Sequence, residues 1–316
     1  MLRMRSYFVV SFMALGLVAG GNSAWAQKKV KGQRVFYSGH SFHYFVPPIV
    51  ADMAKNAKID GHQQLGLSAI GGSRVYQHWN ALAMTYYPGP DTTGKPLPGA
   101  PTVEGTYTVV AKSQVKESLK AGKIDVFTMS PIYLPDDGIE KFVKLGVESN
   151  PKIRMFVQEN WLPWDRFDPK FQPAKERVNH DAQTADSVRK MHAPYFKMFD
   201  DHVAELNKKF ETNAVRVAPV GQAVVRLREK ILAGEAPGLK KQSDLFTDAI
   251  GHASAPVMAL EGYVYLALFY ELNPIDLPVP AVLAGAPEAA KLNRLLQEIA
   301  WQAVTEHPLS GVKAAK

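Results

Sequence analysis

The chain has 316 residues, 46% of them hydrophobic and 21% charged, with a formal net charge of +7 and no cysteine. That length and composition allow a sizeable buried core. The lack of cysteine excludes disulfides, a cysteine nucleophile and thiolate metal sites, so stability has to come from the core. The basic residues are scattered (Lys28, Lys29 and Lys31 near the start, Lys240-Lys241 later) and form no basic-aromatic module. This argues against nucleic acid as a partner and leaves attraction to acidic polysaccharide open.

The first 26 residues have the features of an export signal. Arg3 and Arg5 make a basic start, Tyr7 to Ala19 is apolar apart from Ser11, and Ala24-Trp25-Ala26 fits a signal-peptidase site. The apolar run falls short of the roughly 20 residues that span a bilayer. The expectation is a signal peptide over 1–26 and one domain over 27–316, secreted or periplasmic, with no membrane association after cleavage. Removing a leader with two arginines and no acidic residue takes the charge from +7 to +5.

In the mature chain, a β-forming run from Arg34 ends at Gly39, and a helix is predicted over Ile49–Lys58. Gln64–Ile70 reads as a second strand, ending in Ile70-Gly71-Gly72-Ser73, and Val75–Met84 as a helix. Tyr86–Thr106, rich in proline, glycine and threonine, reads as a surface loop. Ser113–Ala121 is a short helix, Ile124–Met129 a third strand, Asp137–Val147 a helix and Lys152–Val157 a fourth strand. Arg166–Gln183 is a polar insertion. Thr184–Phe210 is a long amphipathic helix region with a break expected near Pro194. Ala214–Val220 is a fifth strand and Gly221–Leu232 its helix. Pro256–Leu272 is almost wholly apolar, a helix buried on most sides, with Ser254 as N-cap and Asn273-Pro274 as stop. Leu292, Leu295, Leu296, Ile299 and Ala303 make one stripe on a last helix.

Strands alternating with helices predict an α/β fold: a five-stranded parallel sheet covered on both faces, flavodoxin-like in order. In such a sheet the strand ends carrying Ser41, Gly72, Ser130 and Gln158 open on one edge, where ligands bind.

A serine hydroxyl needs a base, and the base an orienting partner. Ser41 sits just past the first strand. His252 lies in Asp248-Ala249-Ile250-Gly251-His252, a loop ahead of the buried helix, with Asp248 near enough along the chain to hold its ring. The same residues would also suit a plain turn with a surface histidine. Gly71-Gly72 offers backbone N–H groups for an oxyanion, or an ordinary tight turn. His40 and His43 have the spacing of a metal pair, with His78 as a distant third ligand; pocket lining is the alternative, and no metal or cofactor is expected. Trp79, Trp161 and Trp164 lie just beyond strand ends, as core residues or as a platform for a sugar ring.

Gly39-His40-Ser41-Phe42, Ile70-Gly71-Gly72-Ser73 with Gln77-His78-Trp79, and Asp248 to Ser254 resemble, in order, the first, second and last blocks of secreted SGNH (GDSL-like) hydrolases. The resemblance implies a three-layer α/β/α fold and ester hydrolysis. It also implies Ser41 as nucleophile, Gly72 as oxyanion donor, and Asp248 and His252 as the other triad members. Two features depart from that pattern. Three residues separate Asp248 from His252 where the family has two. The third block, Thr128-Met129-Ser130-Pro131, lacks the usual asparagine, so Gln158 or Asn160 is expected to supply a side-chain donor. With His40 and His43, these complete the expected substrate-binding residues. The expected function is a secreted serine esterase acting on an ester, such as an acetyl group, of a carbohydrate or similar small substrate. The alternative is a weak or inactive carbohydrate-binding protein on the same fold.

Overall fold

The computed structural model describes residues 30–80, 114–168 and 178–314. The expected signal peptide, the Tyr86–Thr106 loop and residues 169–177 of the expected insertion lie outside them. Five parallel strands, β1 (Arg34–Gly39), β2 (Gln63–Ala69), β3 (Val126–Met129), β4 (Arg154–Gln158) and β5 (Val215–Ala218), form one sheet in the order β2-β1-β3-β4-β5. Helices α1 (Val46–Asn56), α2 (Val75–Trp79), α3 (Gln114–Lys120), α4 (Asp137–Ser149), α5 (Ala185–Lys209), α6 (Val220–Leu232), α7 (Ala255–Tyr270) and α8 (Ala289–Glu306) cover it on both sides. This is the expected three-layer α/β/α arrangement.

Strand side chains alternate between the layers. Phe36, Phe127, Met155 and Val217 join Leu119 of α3, Phe142 of α4 and Phe199 of α5 in one apolar cluster. On the opposite face Tyr37 and Phe156 meet Phe269 of α7, with ring centroids 6.1 and 5.8 Å apart. Every residue of α7 from Ala259 to Tyr270 is buried, in keeping with its lack of a polar face.

Three local expectations change. Helix α1 begins at Val46, because Pro47 and Pro48 occupy its first turn, where a missing N–H costs nothing. Helix α5 runs unbroken through Pro194; that residue is exposed, so the carbonyl it leaves unpaired faces solvent. Ser254 does not cap α7 with its side chain; its hydroxyl donates to the Asp244 carbonyl at 2.8 Å.

Helices α1 and α7 touch where a Cβ on Gly262 would stand 2.5 Å from Ile49 Cγ2 and 3.0 Å from Met53 Cε. Gly262→Val is expected to overpack this contact at about 1–3 kcal/mol, read as a lower melting temperature by circular dichroism. An unchanged melt would contradict the close packing.

Candidate active site

Strand β1 ends at Gly39, where a side chain would collide with Ser130 Cβ at 2.8 Å and His43 Cβ at 2.9 Å. The chain turns at once: the N–H groups of His43 and Tyr44 both donate to the His40 carbonyl, at 2.9 and 3.0 Å. This turn leads straight into α1 and leaves Ser41 half-buried at its outer edge.

His252 arrives from a distant part of the chain. Its Nε2 lies 2.9 Å from Ser41 Oγ, and its Nδ1 lies 2.5 Å from Asp248 Oδ2. The other carboxylate oxygen of Asp248 accepts the N–H groups of Ile250, Gly251 and His252 at 3.0, 3.0 and 3.2 Å. Asp248 therefore shapes the loop as well as holding the ring. Between Asp248 and His252, Gly251 has a φ of +98°, which favours glycine. Partial burial opposes the charge of Asp248, but hydrogen bonds from the His252 ring and backbone outweigh it and keep the carboxyl below its ordinary value.

The loop is also held from outside. Trp161 Nε1 donates to the Gly251 carbonyl at 2.7 Å, and Trp164 N–H to the Ile250 carbonyl at 2.9 Å. Trp161 stacks on Phe42 with centroids 4.5 Å apart, and Phe42 meets the His252 ring edge-on at 5.5 Å. His180 Nε2 lies 3.4 Å from the Asp248 carbonyl, and its Nδ1 lies 3.0 Å from Asp165. Buried Arg228 grips Asp165 with two bonds of 2.6 and 2.8 Å. Burial works against the charge on Asp165, yet His180 and Arg228 together keep its carboxyl low. None of these supports announces itself in sequence, since Arg228 and His180 belong to unrelated segments.

A cavity of about 500 Å³ opens over Ser41 and His252. Gly71, Gly72, His40 and Asn160 reach it, and Phe42, Tyr44, Ile132, Pro163, Trp164 and Ile250 give it apolar walls. Two expected substrate-binding residues do not reach it. His43 is fully buried, with Nε2 2.8 Å from Thr128 Oγ1 and Nδ1 3.2 Å from Glu261. Gln158 is also fully buried; its amide donates to the Phe42 carbonyl at 3.1 Å and to Asn160 Oδ1 at 2.6 Å. Both residues form the layer beneath the cavity floor. Among the tryptophans, Trp164 lines the cavity and Trp161 lies beneath it. Trp79 packs edge-on against Phe142 at 5.1 Å instead.

The histidines do not form a metal pair. His43 has both ring nitrogens engaged, as above. His40 receives the Phe42 N–H at Nδ1 and faces Ser130 Oγ with Nε2, at 3.3 and 3.4 Å. His78 is held between Ser68 and Ser73 at 2.7 Å each.

Asn160 reaches the cavity, but its amide nitrogen donates to the Pro131 carbonyl at 2.7 Å, and its Oδ1 accepts from Gln158 Nε2 at 2.6 Å and Ser130 Oγ at 3.2 Å. One of the two N–H groups of this expected side-chain oxyanion donor is thus committed away from the oxyanion. Among the described residues, the N–H groups of Ser41, Gly71 and Gly72 are given to no backbone carbonyl. Gly72 has φ +61°, and a Cβ there would meet nothing within 4 Å. It is glycine for its backbone conformation and not for want of room.

His40, His43 and His78 are pushed down to about 3, chiefly by burial, with neighbouring histidines adding to it. In the unfolded chain a histidine titrates near 6.5. The unfolded chain therefore takes up protons that the folded one excludes as pH drops from 6.5 toward 3. Stability falls across that window by up to about 1.4 kcal/mol per pH unit for each residue. His78→Asn is therefore expected to lose less melting temperature between pH 7 and pH 5 than the parent does; an equal loss would contradict the neutral burial of this ring.

No family model and no curated protein matches the chain. Among solved structures, it is similar to a chain from Parabacteroides merdae proposed to be a GDSL-like lipase. The two are 12% identical over 74% of this chain and 94% of that one, with a TM-score of 0.38. A second solved structure is 13% identical over 76% of this chain and 97% of its own, with a TM-score of 0.34. At these scores the likeness carries no argument about chemistry. The chain's own architecture is a parallel sheet in the order β2-β1-β3-β4-β5 between helical layers, with a serine just past β1 and an Asp-His pair just ahead of α7.

Proposed function

We propose that the protein is an exported serine esterase of the SGNH type, acting on an ester of a carbohydrate or similar small substrate. The observation that carries this reading is the unbroken chain Asp248–His252–Ser41, with contacts of 2.5 and 2.9 Å at the mouth of a cavity. Ser41 Oγ attacks the acyl carbon as its proton passes to His252 Nε2. Asp248 stabilises the resulting imidazolium. The oxyanion rests on the N–H groups of Ser41 and Gly72. Collapse expels the alcohol, which takes the proton from His252. His252 then deprotonates water, which attacks the acyl-enzyme and releases the acid. The apolar walls suit the acyl group, and Trp164 and Tyr44 offer faces on which a sugar ring can stack. Export is argued from residues 1–26 alone.

One observation favours a second reading, a weak or inactive carbohydrate-binding protein. With the Gln158 amide and one N–H of Asn160 engaged below the cavity, the oxyanion hole rests mainly on backbone donors. A missing donor typically lowers kcat by about a hundred- to a thousandfold.

Hydrolysis of p-nitrophenyl acetate separates the two. Ser41→Ala and His252→Ala are each expected to lower kcat by on the order of 10⁶, and Asp248→Ala by on the order of 10⁴, with the Ser41-His252 double variant scarcely worse than either single. A rate unchanged in Ser41→Ala would remove the hydrolase reading in favour of binding. A rate that survives His252→Ala would reassign the base.

A further inference from the structure

Away from Ser41, three side chains from separate segments converge. Glu159 follows β4, Asp200 lies on α5 and His307 caps α8. One ligand-type atom from each lies within 4.8 Å of the others. Glu159 is fully buried and the His307 side chain is 2% exposed, while Asp200, at 32%, opens the cluster to solvent.

These atoms do not satisfy one another. His307 Nε2 and Asp200 Oδ1 are 3.1 Å apart but miss hydrogen-bond geometry, and Glu159 Oε1 lies 3.9 Å from Nε2. All three remain without a hydrogen-bond partner among the described residues. The other Glu159 oxygen is fixed by Gln222 Nε2 at 2.9 Å, which holds Oε1 toward the cluster. Neither carboxyl has an arginine or lysine as ion-pair partner among the described residues; His307 alone faces them. A buried carboxylate without a counter-charge is costly.

We propose that Glu159, Asp200 and His307 form a binding site for a divalent transition-metal ion, zinc or manganese. Two carboxylate oxygens and one imidazole nitrogen are a donor set for such ions, whereas calcium and magnesium prefer all-oxygen shells. Two ligands at about 2.1 Å from one ion lie at most about 4.2 Å apart, so the site closes slightly on loading, and half-exposed Asp200 is the side chain free to move. The Leu309 N–H points at His307 Nδ1 from 3.2 Å, which leaves the ring proton on Nε2. A cation on Nε2 shifts that proton to Nδ1 and gives up the Leu309 contact. Glu159 stands between Gln158 and Asn160, so the bound ion would tie the floor of the active-site cavity to α5 and the end of α8. No catalytic step passes through it.

The test is calorimetric titration of chelator-treated full-length protein with ZnCl₂ and MnCl₂, alongside thermal melts. One equivalent is expected to bind, with a melting temperature that rises with metal concentration. Asp200→Asn and His307→Gln are each expected to weaken binding by at least about tenfold, and His252→Ala to bind as the parent does. No stoichiometric binding, or affinity unchanged in both Asp200→Asn and His307→Gln, would overturn the proposal. Because Asp200 is half-exposed, its variant tests the site even if His307→Gln folds poorly.

Discussion

The rest of the structure depends on the burial of α7 against the sheet and α1. A helix with no polar face has one stable place, inside a layer, and α7 fills it from Pro256 to Tyr270 apart from half-buried Met258. Gly262 lets α1 come close. The Ser41 turn leads into α1, and the Asp248–His252 loop leads into α7. Packing the two helices side by side therefore brings together groups 211 residues apart, at a Ser41–His252 distance of 2.9 Å. The Ser41–His252 pair is positioned by apolar area that takes no part in their contact.

Beneath the cavity the protein accepts a layer of buried polar groups and satisfies most of them in pairs. Tyr265 donates to Gln158 at 2.6 Å, Gln158 to Asn160 and Phe42, and His43 bridges Thr128 and Glu261. Burial pushes the Glu261 carboxyl well up and the His43 ring down to about 3, so both sit in their neutral forms and the layer avoids a buried charge. This fixes the Phe42 carbonyl and Asn160, and with them the cavity floor. It also accounts for the expected side-chain donors: the amide of Gln158 and one N–H of Asn160 are engaged in the layer.

The sheet was legible because its strands are short runs with buried side chains on both faces, alternating with helices, and a parallel sheet buries both faces. Ser41, Asp248 and His252 were legible as a group because each falls at an element boundary that the strand-helix alternation brings to one edge. Direction was harder to read than proximity. His43 and Gln158 are within a few residues of the cavity yet point beneath it, since one residue along a turn or strand reverses a side chain. The tolerance of α5 for Pro194 depended on which face met water, and the start of α1 on prolines that suit a first turn. The clamp on the Asp248–His252 loop combines Trp161, Trp164, His180, Asp165 and Arg228, residues from three segments whose meeting is a tertiary event. The left-handed backbone at Trp164 and Asp165, with φ of +54° and +44°, marks no sequence pattern.

In the proposed reaction, His252 activates Ser41 as a nucleophile. Intact-mass spectrometry after reaction with a fluorophosphonate, followed by peptide mapping, reads this out. One covalent adduct is expected on Ser41, absent in Ser41→Ala and formed far more slowly in His252→Ala. No adduct on the parent protein, or one that forms as fast without His252, would contradict it.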